Sequence, residues 1–213
     1  MRRSVLCVVA LALAHVQPVA SQQAGPVLTA EYRNDCRLAA QMLETGHPQP
    51  HRAWSLGIIS GCGAEGPATL ASVWRSITAG EEIGPLVRSS LRLRDARLYR
   101  QLRETAVDRS RPGAVRAAAM LVLARYTNSG NAIWLSDLVP PDTVTRIRLV
   151  PSSGIGLNQV EGASPLREPI AAPVLALLDE IASARGTEEK AVWYAAAVLA
   201  KRLRSDIANG AAH

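Results

Sequence analysis

Ala114-Val115-Arg116-Ala117-Ala118-Ala119-Met120-Leu121-Val122-Leu123-Ala124 and Ala191-Val192-Trp193-Tyr194-Ala195-Ala196-Ala197-Val198-Leu199-Ala200 are the two stretches whose reading decides the fold class. Both are rich in alanine, the strongest helix former, and both are apolar on nearly every face of a 3.6-residue period. A helix of that kind has to be covered all round. A unit that cannot bury itself alone gains stability by stacking on copies of itself. Each stretch follows a second amphipathic segment and a short polar loop. The expectation is a mostly α chain of stacked antiparallel helix pairs.

Working outward from the second stretch, Pro169 opens a helix carrying Ile170, Val174, Leu177, Leu178 and Ile181 on one face. Ala184-Arg185-Gly186 closes it. Thr187 is the expected N-cap of the next helix, with Glu188 and Glu189 in its positive first turn. This C-terminal pair is placed at 169–205, with 206–213 as a flexible tail. Working back from the first stretch, Asp108 to Gly113 is a turn by composition. Before it, Asp95 to Val107 sets Leu98, Leu102 and Val107 against a face of Arg97, Arg100, Arg103 and Glu104. Residues 81–91 read as a shorter helix interrupted by Gly84-Pro85. Leu70, Val73, Trp74 and Ile77 form one stripe of another. A first pair is expected at 28–45 and 51–62, joined by Gly46 to Pro50. Helical pairs therefore span 27–128. Trp54, Trp74 and Trp193 fall at core periodicity and are expected to pack.

The segment 129–168 breaks the pattern. Pro140, Pro141, Pro151 and Pro165 exclude a long helix. Val144 to Val150 alternates and is β-branched, so it reads as a strand. Pro151 to Gly154 would turn it into Ile155 to Val160. The expectation is a loop-rich insert with a small β-hairpin, which must lean on the helices because an isolated hairpin is marginal. Trp134 lies at its edge, as a cap on the stack or as an anchor for a partner.

The residues around the first stretch resemble the HEAT repeat. Asp108, then Val115-Arg116, Ala118-Ala119 and Leu123 follow that motif, and Pro173 resembles the proline of a HEAT first helix. The resemblance is most specific for 114–126. It is looser for 168–204, where Trp193 stands in place of arginine, and weak for 28–92. Residues 52, 116 and 193 occupy similar places at unequal spacing. The resemblance implies a short, divergent α-solenoid used for protein–protein contact. It also implies that Asp108 and Arg116 contribute to a polar ladder between repeats.

The N-terminus reads as an export signal, residues 1–21: basic Arg2 and Arg3, an apolar run from Val5 to Val16, then Pro18-Val19-Ala20-Ser21 before Gln22. Cys7 lies within it, outside any lipoprotein-type spacing. No later apolar run reaches membrane length. The expected location is extracytoplasmic, periplasmic or secreted. Loss of the signal leaves Cys36 and Cys62, which sit nearly level across the first helical hairpin and can pair in an oxidising compartment. The formal net charge of +6 drops by the two signal arginines.

Little in the chain carries chemistry. It contains no Gly-x-Ser-x-Gly, His-Glu-x-x-His or phosphate-loop motif. His47 and His51 flank a proline-rich turn unsuited to metal. Glu81-Glu82 and Glu188-Glu189 read as helix-dipole matching rather than paired acid and base. No cofactor or metal is expected, and no catalytic residue is assigned. Arg88, Arg92, Arg94, Arg97, Arg100 and Arg103 form the strongest charge feature. Nucleic acid is not the expected ligand, since the expected location is outside the cytoplasm. The expected function is a non-enzymatic exported scaffold for another protein. Its partner-binding candidates are Arg88, Arg92, Arg97, Arg100, Arg103, Trp134, Arg146 and Arg148. The alternatives are an enzyme or accessory subunit using the 129–168 insert, and a binder of anionic envelope polymer through the Arg88–Arg103 stripe.

Overall fold

A computed structural model describes residues 30–45, 51–78, 83–127, 138 and 169–212. Their helices are α1 (Ala30–Glu44), α2 (His51–Ile59), α3 (Glu65–Ser76), α4 (Ile83–Leu91), α5 (Ala96–Val107), α6 (Gly113–Tyr126), α7 (Ala171–Ser183) and α8 (Lys190–Ala208). No β-strand occurs among the described residues. The expected hairpin, with Trp134, Arg146 and Arg148, lies outside them.

α1 packs on α2, α5 on α6 and α7 on α8 as helix hairpins. The first is antiparallel: Cys36 meets Cys62, and Leu43, further along α1, meets Arg52, further back on α2. α2, α4, α6 and α8 pack in succession as one layer. Their companions α1, α3, α5 and α7 form the second layer, in which α3 and α5 lie side by side. α4 docks between α2 and α6 more than on α3, so α3 and α4 do not form a tight pair of their own.

The two opening stretches separate in this arrangement. α6 is interior: every residue from Val115 to Ala124 is buried. Leu138 joins the same core. α8 is an edge helix. Val192, Ala195, Ala196, Leu199 and Leu203 are buried, while Trp193, Tyr194, Ala197 and Val198 are half-exposed. A helix lacking a polar face can be covered only where it has neighbours on all sides, and α6 has them.

Local chemistry sets several boundaries. Asp95 is buried and caps α5, accepting from the backbone N–H of Arg97 at 2.8 Å and of Leu98 at 3.4 Å. Gly66 lets α3 start hard against the end of α2. A Cβ there would lie 2.4 Å from the Ile59 carbonyl oxygen. Gly63 takes φ 57°, the left-handed conformation that reverses the chain after α2.

The structure corrects several expectations. Gly84-Pro85 does not interrupt a helix. It occupies the first turn of α4, where proline gives up no helical hydrogen bond. On α5 the buried face is Leu98, Gln101, Leu102, Thr105 and Ala106, and Val107 is 47% exposed. Trp74 is fully buried, its Nε1–H donating to Ser90 Oγ at 2.8 Å. Trp54 is 46% exposed and Leu38 41%, because each points away from the contact between α1 and α2. Thr187 is not an N-cap. Its Oγ1 donates to the Ala184 carbonyl, and α8 starts only at Lys190. The 206–213 tail is shorter than expected. α8 runs to Ala208, and Asp206 is buried, accepting from Arg202 Nε at 3.0 Å.

Candidate functional surfaces and their arginine framework

Arginine does much of the work of joining these helices. A helix leaves its last carbonyls without internal partners, and a guanidinium offers five donors and a charge that suits that end of the dipole. Arg52 Nη1, in the first turn of α2, donates to the Leu43 carbonyl at 2.8 Å. Arg116 Nε, in the first turns of α6, donates to the Ala106 carbonyl at 2.9 Å. Each reaches back to the end of the preceding helix. Arg111 covers the end of α3, donating to the carbonyls of Trp74 at 3.0 Å, Arg75 at 2.5 Å and Ile77. Arg94 donates to the Tyr126 carbonyl at the end of α6. The Tyr126 hydroxyl donates to the Ser90 carbonyl at 2.9 Å, and burial holds its pKa well above the ordinary phenol value.

The third hairpin departs from this plan. Residue 193 is Trp, and the Arg185 guanidinium from the α7–α8 loop lies 4.2 Å from its ring centroid. Tyr194 meets the same ring edge-on at 6.2 Å. The cation stays at the end of α7 but stacks on an indole.

Arg116 is also the centre of a buried ionic node. Its side chain is 2% exposed and that of Glu188 5%. Arg116 Nη1 donates to Glu188 Oε2 at 2.6 Å and Nη2 to Oε1 at 3.1 Å, a two-pronged pair. Arg109 Nε adds a bond to Oε1 at 2.9 Å from the solvent side. The hydrogen bond from Arg116 holds the Glu188 carboxyl below its ordinary pKa, against the opposing effect of burial. Glu188 is therefore not a solvated first-turn residue. It connects the α7–α8 loop to α6. The Glu189 carboxylate lies against Gly113, where a Cβ would sit 2.2 Å from Oε2. Asp108 accepts from the N–H and hydroxyl of Ser110 at 2.9 and 2.6 Å. Those bonds lower its pKa.

The predicted arginine stripe is not one surface. Arg88 lies on α4 and Arg92 just beyond it, donating to Ser60 Oγ at 3.4 Å. Arg97, Arg100 and Arg103 lie on α5, in the other layer. Arg97 binds Asp95 and the Ala64 carbonyl. Arg103 covers the Tyr99 ring at 5.8 Å. Arg100 is exposed and Arg88 half-buried, neither tied to a described residue. One-letter spacing along the chain joined residues that a turn between helices separates.

A different charge pattern emerges by layer. α2, α4 and α6 contain no carboxylate, and α8 contains only Asp206, which is buried. The other layer carries the acids: Glu31, Asp35 and Glu44 on α1, Glu65 on α3, Glu104 on α5, Asp179 and Glu180 on α7. This partition is present in the sequence, but only the assignment of helices to layers reveals it.

Cys36 and Cys62 are joined by a disulfide, with Cα atoms 5.6 Å apart. It ties α1 to the corner between α2 and α3. Among the described residues no group of three or more His, Cys, Asp or Glu side chains could hold a metal ion. No described helix is long and apolar enough to cross a membrane. Comparison with protein-family profiles, curated proteins and solved structures finds no match to this chain.

Proposed function

We propose that the chain is an extracytoplasmic, non-enzymatic scaffold, a short HEAT-like stack that holds a surface toward another protein. The observation that carries this reading is the layered packing of helix hairpins, braced end to end by arginines that grip helix C-termini. Such a framework fixes a broad face rather than a catalytic cleft. The disulfide supports an oxidising compartment, in keeping with residues 1–21 as an export signal. The loop-rich 129–168 insert, with its small β-hairpin, remains part of this proposal, as an addition to the stack. The division of the arginine stripe between two layers weakens the case for a polyanion track along Arg88–Arg103.

The test is expression of the full chain with its own leader. The leader should be absent from the exported protein by mass spectrometry, and chemical crosslinking in the envelope fraction should yield a defined heterologous protein adduct. Cytoplasmic retention with free thiols would overturn the compartment. Substrate turnover by the purified protein would overturn the scaffold.

A further inference from the structure

We infer that the partner docks through an acidic, aliphatic-bearing peptide segment laid along α2 and α4, with Trp54 as its apolar anchor and Arg88 as its charge anchor. This rests on the scaffold reading above and names the surface and the chemistry of the partner.

Placement carries the argument first. α2 and α4 are neighbours, and Arg92 just past the end of α4 donates to Ser60 just past the end of α2. Their C-terminal ends therefore adjoin, and the helices run in the same direction. Trp54 lies six residues before Ser60 and Arg88 four before Arg92. At a rise of about 1.5 Å per residue their levels differ by only about 3 Å. Each points away from the core on its own helix. Trp54 sits opposite Leu56 and Ile59, and Arg88 opposite Ile83, Leu86 and Ser90.

The chemistry follows from what surrounds them. An indole 46% exposed on a helix is a large apolar surface left to water. One turn further along α2, Gly57 is exposed and has nothing within 4 Å of where a Cβ would stand, so the helix surface there is open. Leu91 adds a half-buried apolar side chain on α4. Neither helix bears a carboxylate, so among its described residues this face has a cation without a counter-ion. Charge complementarity calls for Asp or Glu in the occupant, and the exposed indole calls for an aliphatic side chain beside them. A second copy of this layer would set cation against cation. A uniform polyanion would leave the indole unused.

The probe is a fluorescein-labelled synthetic peptide of alternating glutamate and leucine, read by anisotropy on the oxidised full chain. Saturable, salt-weakened binding is expected. Trp54→Ala and Arg88→Glu should each weaken it about tenfold, while Arg100→Glu, on the other layer, should change it less than about twofold. Equal loss from Arg88→Glu and Arg100→Glu, or absence of saturable binding, overturns the assignment. So does an all-glutamate peptide that binds as tightly as the probe and equally to Trp54→Ala, which identifies a polyanion site. Circular dichroism and urea melts of each variant establish that it is folded. Photo-crosslinkers at positions 54 and 100, used in cells, separate the two levels of inference. A position-54 adduct to a peptide flanked by Asp or Glu supports the assignment. An adduct from 100 alone overturns this surface and leaves the scaffold reading standing. No protein adduct from either overturns both.

Discussion

Glu188→Gln is the sharpest perturbation of this fold. It keeps the shape of the side chain and removes its charge from between two guanidiniums. The Arg116 guanidinium, almost wholly buried, then retains the Ala106 carbonyl but faces a neutral amide. One half of that amide still accepts a bond, while the other presents N–H to N–H. Breaking one partner of a buried ion pair costs about 3–5 kcal/mol. The contact of Arg109, itself solvent-exposed, is worth at most about 1 kcal/mol. Because one hydrogen bond survives, the expected loss is near the lower end, about 3 kcal/mol. Urea unfolding followed by far-ultraviolet circular dichroism at neutral pH, with the disulfide intact, measures it. Arg116→Met and the double variant complete a cycle, whose coupling should be about 1–3 kcal/mol. A loss under about 0.5 kcal/mol, the scale of an ordinary surface substitution, or an additive cycle refutes a buried ionic connection. The pH dependence has a definite sign. The folded pKa of Glu188 lies below its unfolded value. Its contribution is therefore complete above the unfolded value, near 4.3, and is lost as pH falls through the lower folded one. The gap between wild type and Glu188→Gln should be constant from neutral pH down to about 5 and then close.

Three further outcomes test other parts of the structure. Replacing Cys36 and Cys62 by serine should cost about 3.5 kcal/mol by the chain-entropy relation, with hydrogen exchange rising first in α1, and an unchanged urea midpoint would contradict a bridge. Gly66→Ala should destabilise by more than about 2 kcal/mol because the Ile59 carbonyl blocks its Cβ, whereas Gly57→Ala, in open space on α2, should stabilise by about 0.5–1 kcal/mol; the reverse order in thermal melts would contradict the helix placement. Trp74→Ala should cost about 3–5 kcal/mol and Trp54→Ala under about 1 kcal/mol, so equal losses in urea would mean that Trp54 is in the core after all.

Several features are legible in the sequence. Helix class, the turn from Asp108 to Gly113, the buried stripe from Val174 to Ile181 and the Cys36–Cys62 pairing all follow from spacing along one helix or across one short loop. The structure departs from local pattern where the partner of a residue lies far along the chain. Trp54 and Trp74 have the same residue type and similar periodicity. One is buried because α3 packs toward α5 and α4, and the other points outward from α2. By local pattern Glu188 and Thr187 read as a helix start. Arg116 and Arg109, more than 70 positions away, recruit them instead, and α8 begins later. The arginine run from 88 to 103 is continuous in sequence, and the turn at Arg92–Asp95 divides it between two helices.

The residue pattern alone determined that this chain is a stack of apolar, alanine-rich helices tied by a cysteine pair, because helix periodicity and hairpin level are local quantities. Only the tertiary structure decided which of the two echoing helices is interior and which is an edge. It also decided that arginines brace helix ends, and that acids gather in one layer and are nearly absent from the other. Those outcomes depend on which helices become neighbours. Burial of an apolar face and pairing of a charge are properties of two surfaces together, and one strand of sequence specifies each surface without naming the other.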